Sequence, residues 1–385
     1  MRGDRVGTTA LQDLTTLGVS VWLDDLSRAR LDSGNLAALI GDRSVRGVTS
    51  NPAIFEAAIS KRAAAYAADL QSLAADGHDV DAIIQTLTSD DVRRACDLFL
   101  PIWQESNGVD GRVSLEVDPR LAHDTDGTIA QAKELWALVD RPNLMIKVPA
   151  TKAGLPAITA VIGAGISVNV TLIFSVERYR EVWAAYEAGL ARAQFLRLRD
   201  RPVRVARAAG IELGSIHSVA SFFVSRVDTA VDPQLDALGS AVAQSHRGKA
   251  AIANAVLAWD AFLAVTDSPS WKALAERGAN AQRPLWASTG VKDLAYDDTR
   301  YVVDLAVAGC VNTMPEATME AVFDHGSCKG DTITPSIAAA AATWQALEAL
   351  GIDRIAVCDK LEADGVTSFI SAWERLRDTV RSAMA

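Results

Sequence analysis

A lysine set inside an apolar run is the sharpest chemical signal in this chain of 385 residues: Leu144-Met-Ile-Lys-Val-Pro-Ala-Thr151. A charge buried there without a partner is costly, and shedding the proton lowers the cost. The neutral amine that results is the form that attacks a carbonyl to give a Schiff base. The same residue pattern admits a second reading, an inward Lys147 paired with an Asp or Glu as a structural bridge.

Other polar residues close apolar runs in the same way. Asp24 and Glu116 end Val19–Asp24 and Arg112–Val117 and could carry the protons that carbonyl chemistry moves, although an acidic residue after a strand also serves as a helix N-cap or a surface charge. Asp25, Asp118 and Asp124 fit that second role. Asn51, in Val48-Thr-Ser-Asn-Pro52, and Asn169, in Val168-Asn-Val-Thr171, offer the donors and acceptors that sugar hydroxyls need. Asn-Pro is equally a turn initiator. Thr171, Ser221 and Ser288 add hydroxyls at strand ends. Arg226, in Ser221-Phe-Phe-Val-Ser-Arg226, and Lys292, in Trp286-Ala-Ser-Thr-Gly-Val-Lys292, supply cations for an anionic substrate, or are solvated loop charges.

Something must bring these residues together. Eight short apolar or β-branched runs recur along the chain: 19–24, 47–51, 112–117, 144–148, 166–173, 219–224, 284–288 and 310–313. Most are apolar throughout, as in parallel strands covered on both faces. Segments of helical spacing alternate with them, for example Ile129, Ala132, Leu135, Trp136 and Val139. The count predicts an α/β fold, a (β/α)8 TIM barrel, and in that fold the active site lies at the C-terminal strand ends where these polar residues stand. A doubly wound open sheet has similar local patterning. One domain is expected over residues 1–385. It carries a helical insertion after the second strand, about 56–108, and a C-terminal helical extension, about 335–385. The extension ends in an apolar stripe, Val366, Phe369, Ile370, Trp373, Leu376 and Val380, that should lay a last helix across the barrel.

Composition narrows the partners. With 38 Lys and Arg against 48 Asp and Glu the formal net charge is −10, and there is no long basic run, which argues against nucleic acid or an anionic membrane surface. An anionic substrate would need local cations to override that charge. Cys96, Cys310, Cys328 and Cys358 are far apart and form no C-x-x-C pair, so neither zinc nor a disulfide framework is expected. No signal-peptide core or membrane-spanning run stands out, and a cytoplasmic protein is expected. Gly163-Ala-Gly165 lacks the third glycine of a dinucleotide fingerprint, and Gly326-Ser-Cys-Lys-Gly330 is not a P-loop. His123 and His217 could lie near the cleft, but no Ser or Cys nucleophile pairs with them.

Taken in order, several segments resemble the transaldolases, in particular the longer bacterial form. They are Val21-Trp-Leu-Asp-Asp-Leu-Ser-Arg28, Gly47-Val-Thr-Ser-Asn-Pro52, Val113-Ser-Leu-Glu-Val-Asp118, Leu144 to Thr151, Val168-Asn-Val-Thr-Leu-Ile-Phe174 and Arg283-Pro-Leu-Trp-Ala-Ser-Thr-Gly290. The resemblance runs nearly end to end. It implies a class I aldol mechanism without cofactor or metal, moving a dihydroxyacetone unit from sedoheptulose 7-phosphate to glyceraldehyde 3-phosphate. The products would be erythrose 4-phosphate and fructose 6-phosphate, within the pentose phosphate pathway.

By that resemblance Lys147 forms the Schiff base, Asp24 is the acid/base, Glu116 works through a water and Thr171 positions it. Asn51, Asn169 and Ser221 hold the three-carbon unit, and Arg226 binds phosphate. Many transaldolases place a second phosphate-binding arginine just after an Ala-Ser pair. Here Ala287-Ser288 is followed by Thr289, Gly290, Val291 and Lys292, so Ser288 carries over and Lys292 is the inferred replacement cation. Aldolase relatives that release dihydroxyacetone carry tyrosine where Glu116 stands. A barrel that only binds sugar phosphates is the remaining alternative. The expected partners are phosphorylated ketose and aldose substrates, in a monomer or homodimer.

Overall fold

The computed structural model describes residues 8–61, 63–199 and 212–384. Its centre is a closed parallel barrel of eight strands: β1 (Ser20–Leu23), β2 (Gly47–Val48), β3 (Arg112–Glu116), β4 (Leu144–Pro149), β5 (Val168–Ile173), β6 (Ser218–Phe223), β7 (Arg283–Ala287) and β8 (Val311–Met314). Neighbours in sequence are neighbours in the sheet, and β1 closes the ring on β8. Every strand residue except Arg283 is buried, which is why the runs read as continuously apolar and not as alternating. A barrel of interior side chains wrapped in helices leaves no strand face in water.

The one run that shortens markedly is the second, expected over 47–51 and paired as a strand only at Gly47–Val48. Trp22 and Gly47 are register partners, and a Cβ on Gly47 would sit 2.6 Å from the Trp22 ring, so the glycine makes room for a large core side chain. Thr49 still donates its N–H to Leu23 O at 2.9 Å, after which the chain turns into the Pro52–Lys61 helix. Asn51 caps that helix: its Oδ1 accepts from Ile54 N–H at 3.0 Å, with Pro52 in the first helical position.

The expected insertion is built from the Pro52–Lys61, Ala67–Ala75 and Val80–Glu105 helices, with a short turn of 3₁₀ helix at Ala63–Ala65. It grips the loop that follows β1. Arg28 Nε donates to Asp91 Oδ1 at 2.9 Å, Tyr66 OH donates to Asp91 Oδ2 at 2.7 Å, and Asp69 also pairs with Arg28. The tail folds as the Ile337–Ala349 and Arg354–Met384 helices. Of the expected stripe on the last helix, Val366, Phe369, Trp373, Leu376 and Val380 are buried and Ile370 is half-buried. That helix packs on the Pro52–Lys61 and Ser225–Leu238 helices and touches β5, so it lies across the end of the barrel from which Lys147 and its neighbours project. Among the described residues no single helix is long and apolar enough to cross a membrane.

Candidate functional site

Strand register alone sets three of the chemical residues in a row. Glu116 on β3 pairs with Lys147 on β4, which pairs with Asn169 on β5. Side chains at paired positions of parallel strands leave the sheet on the same side. Lys147 Nζ donates to Ser50 O at 3.0 Å and stands 3.3 Å from Glu116 Oε2. The two side chains are only 5 % and 4 % exposed. The bridge that competed with catalysis is therefore formed. As a structural bridge it is poorly finished, because both Glu116 oxygens, and Thr171 Oγ1 two residues beyond Asn169, are buried without a hydrogen-bond partner among the described residues.

Lys147 also faces open space. A cavity of ≈ 180 Å³ is lined by Asp24, Thr49, Asn51, Lys147, Ser221, Arg226, Ser288 and Lys292, with Phe223, Thr313 and Phe369 among its walls. Asp24 is half-buried; its Oδ1 accepts from Thr49 Oγ1 at 2.6 Å, and that hydroxyl lies 2.7 Å from Thr313 Oγ1. Burial pushes the Asp24 carboxyl upward, opposed first by the charge of Lys147. Burial pushes Glu116 up to about 7, again against the pull of Lys147 and with a smaller upward push from Asp24. Of the two carboxyl groups near one amine, both raised by burial, Glu116 at about 7 can give and take protons near neutral pH.

The cations stand on the far wall. Arg226 is half-buried, its guanidinium 5.8 Å from the centre of the Phe223 ring, and burial draws its pKa down with only Asp364 opposing. No described carboxylate pairs with Arg226 or with the exposed Lys292. A Cβ on Gly290 would lie 3.8 Å from Lys292 Nζ and no nearer than 3.5 Å to any other atom. The backbone is unusual at two strand ends here. Leu172, where the β5–β6 register shifts, has φ +60°, and Ser288 has φ +55°, a conformation that side chains rarely adopt and that collects at functional sites.

A barrel with an amine, two carboxyls and unpaired cations at its C-terminal strand ends is compatible with many aldol enzymes. Comparison decides among them: the family described as Transaldolase/Fructose-6-phosphate aldolase matches residues 21–380. The chain belongs to this family. A transaldolase from Mycobacterium bovis is 56 % identical over 373 residues, covering 97 % of this chain and 96 % of that protein. One from Mycolicibacterium smegmatis is 56 % identical over 374 residues, 97 % of each chain. Transaldolase 1 of Streptomyces coelicolor is 56 % identical over 375 residues, 97 % of this chain and 95 % of its own.

Seven of the residues singled out in the sequence, Asp24, Asn51, Lys147, Ser221, Arg226, Ser288 and Lys292, line a single cavity of this transaldolase-family barrel. Asn51 does so while its Oδ1 caps a helix, so the turn reading holds and leaves its Nδ2 uncommitted to the cap. Asn169 is fully buried: Nδ2 donates to Ser114 Oγ at 3.0 Å and Oδ1 accepts from Ser221 Oγ at 2.6 Å. Its amide is thus largely spent on holding Ser221. Ser288 Oγ lies 3.0 Å from Ser225 Oγ. His217 does not approach the cleft. It immediately precedes β6, at the opposite end of the barrel, where burial beside Arg112 and Arg283 lowers its pKa to about 3 and keeps it neutral. His123 is exposed and does not line the cavity.

Sequence reasoning passed over Thr49, Thr313, the Ser50 carbonyl and Phe369. Thr49 and Thr313 were open to the same strand-end rule that found the others. A backbone carbonyl leaves no trace in side-chain chemistry, and Phe369 looks like any other residue of an apolar stripe.

Proposed function

We propose that this chain, an enzyme of the transaldolase type, transfers a dihydroxyacetone unit from sedoheptulose 7-phosphate to glyceraldehyde 3-phosphate and releases erythrose 4-phosphate and fructose 6-phosphate. The observation that carries the proposal is the buried contact of Lys147 with Glu116 at the wall of a cavity that also presents Asp24 and two cations.

In the proposed cycle Lys147, having passed a proton toward Glu116, attacks the ketose C2 carbonyl. A water held by Glu116 and Thr171 relays protons as the carbinolamine loses hydroxide and becomes the protonated imine. The buried oxygens of Glu116 and Thr171, which have no hydrogen-bond partner among the described residues, support that placement. Asp24 then takes the proton of the C4 hydroxyl. The C3–C4 electron pair flows toward the imine nitrogen, C4 leaves as an aldehyde, and an enamine remains on Lys147. The acceptor aldehyde arrives, C3 attacks its carbonyl carbon, Asp24 returns the proton to the new hydroxyl, and water releases the product ketose. Asn51 and Ser221, the latter held by Asn169, bind the hydroxyls of the retained unit. Ser288 lies beside them. Arg226 takes the phosphate, and Lys292, whose ammonium lies near where a side chain on residue 290 would begin, supplies the second cation.

The cycle as written uses no cofactor. We further propose a cytoplasmic enzyme, monomeric or homodimeric; the four cysteines are free thiols, three of them buried, which suits a reducing compartment. The decisive experiment is borohydride reduction in the presence of fructose 6-phosphate, followed by peptide mass spectrometry. A reduced three- or six-carbon adduct on Lys147, absent from Lys147→Ala, is expected. An adduct on another lysine, or none, overturns the proposal. Accumulation of free dihydroxyacetone without fructose 6-phosphate from the two natural substrates would instead indicate the aldolase.

A further inference from the structure

The C-terminal helix carries Gly365, Phe369 and Trp373 four residues apart, hence on one face. Each meets a different part of the mouth. Gly365 seats the helix on the end of β5: a Cβ there would come within 3.0 Å of Leu172 and 3.5 Å of Phe174. Trp373 lines a small void of ≈ 40 Å³ shared with Glu116 and Asn51. Phe369 stands between them, 6 % exposed, in the wall of the main cavity with its ring centre 5.7 Å from Lys147 Nζ.

Resting on the transfer reading above, we infer that Phe369 decides the fate of the three-carbon intermediate by shielding C3 of the Lys147 enamine from protonation. The enamine can go two ways. In transfer, C3 forms a bond to the acceptor carbonyl carbon. In release, C3 takes a proton from a nearby acid or water, the resulting imine adds water at C2, and the C2–N bond breaks as nitrogen takes a proton, giving dihydroxyacetone and free Lys147. Imine hydrolysis at C2 ends both routes, whereas release alone consumes a proton at C3, and that proton must reach the face of the adduct that the ring covers. A ring presents no proton and keeps bulk water from C3. The close seating at Gly365 fixes how near the ring can come.

The test compares Phe369→Ala and Phe369→Leu with the unaltered chain, using fructose 6-phosphate as donor. Dihydroxyacetone released is measured per ketose formed on erythrose 4-phosphate. The expected result is a rise in that ratio of on the order of ten-fold or more in Phe369→Ala, and a smaller rise in Phe369→Leu, with borohydride trapping on Lys147 retained. Loss of a buried ring can unfold a protein, so each variant is melted first, and if the alanine variant is unfolded the leucine variant is decisive. An unchanged ratio in the folded variant with trapping intact overturns the assignment. Failure of the transfer reading looks different: the unaltered chain itself then releases dihydroxyacetone and forms no new ketose.

Discussion

Glu116 is held against Lys147 with almost no water around either, yet its carboxylate receives no hydrogen bond from the described residues. A buried carboxylate normally gathers two or three donors, and leaving it without them costs about 1–3 kcal/mol. Burial, opposed by Lys147, pushes its pKa up to about 7, which suits it to store a proton near neutrality. Stability and activity then move in opposite directions over one pH window. The folded pKa lies above the ordinary 4.5, so Glu116 contributes stability that is full below about 4.5 and lost as the pH rises through about 7. Activity needs the carboxylate free to accept the proton that Lys147 gives up, so kcat/KM should fall as the pH drops through about 7. Measured on cleavage of fructose 6-phosphate, Glu116→Gln should lower the rate by about 10²–10⁴-fold and remove that acidic limb. A limb that persists unmoved in the variant assigns it to another group. Lys147 and the acid residues were legible as chemistry because charge is rare in apolar strands. Their pairing was also foreseen, but as the competing explanation; what the sequence could not convey is that a formed bridge is compatible with the proposed proton path.

Elements were legible where burial is uniform. The eight runs read as strands because both faces of each strand are covered, so apolar character persists at every position and the period of two disappears. Where a strand end turns directly into a helix the signal blurs: beyond β2, which stops at Val48, Asn51 and Pro52 already serve the Pro52–Lys61 helix as cap and first turn. The last helix was legible as a stripe, but a stripe tells only that something is covered. That Phe369 covers a reactive lysine depends on where the chain returns after more than 200 intervening residues, which no local pattern encodes. Asn51 offers a test at this scale because its two amide atoms have separate duties. Asn51→Ala should cost about 0.5–2 kcal/mol of stability through loss of the cap, and should also weaken donor binding. Asn51→Asp keeps a capping oxygen and loses the amide donor, so it should melt close to the unaltered chain while its KM for fructose 6-phosphate still rises. Thermal melts and steady-state kinetics on both variants separate the duties. If aspartate binds donor normally, the amide does not touch the substrate.

On the scale of the whole molecule the difficulty is electrostatic: a chain of net charge −10 must draw a sugar phosphate to a mouth lined by Asp24, with Glu116 buried against Lys147 behind it. The solution is local, and it depends on Arg226 and Lys292 having no carboxylate partner among the described residues. Other described arginines are committed: Arg30 to Asp25 and Glu316, Arg43 to Glu320, Arg120 to Asp118. Arg226 is half-buried, so a phosphate contact there would be poorly screened, whereas exposed Lys292 would act through water. Arg226→Ala should therefore raise KM for fructose 6-phosphate by about ten- to a hundred-fold, the equivalent of about 1.5–3 kcal/mol for a hydrogen bond to a charged group. Lys292→Ala should raise it less. The same variants should leave the weak cleavage of unphosphorylated fructose unchanged, since neither cation touches the reacting carbons. Raising the ionic strength shortens the Debye length from about 30 Å at 0.01 M to about 3 Å at 1 M. KM of the unaltered chain should climb over that range, and the climb should flatten when both cations are removed. Salt dependence that survives the double substitution would place the attraction elsewhere on the surface, and an equal loss on fructose would mean that Arg226 shapes the cavity and does not bind phosphate.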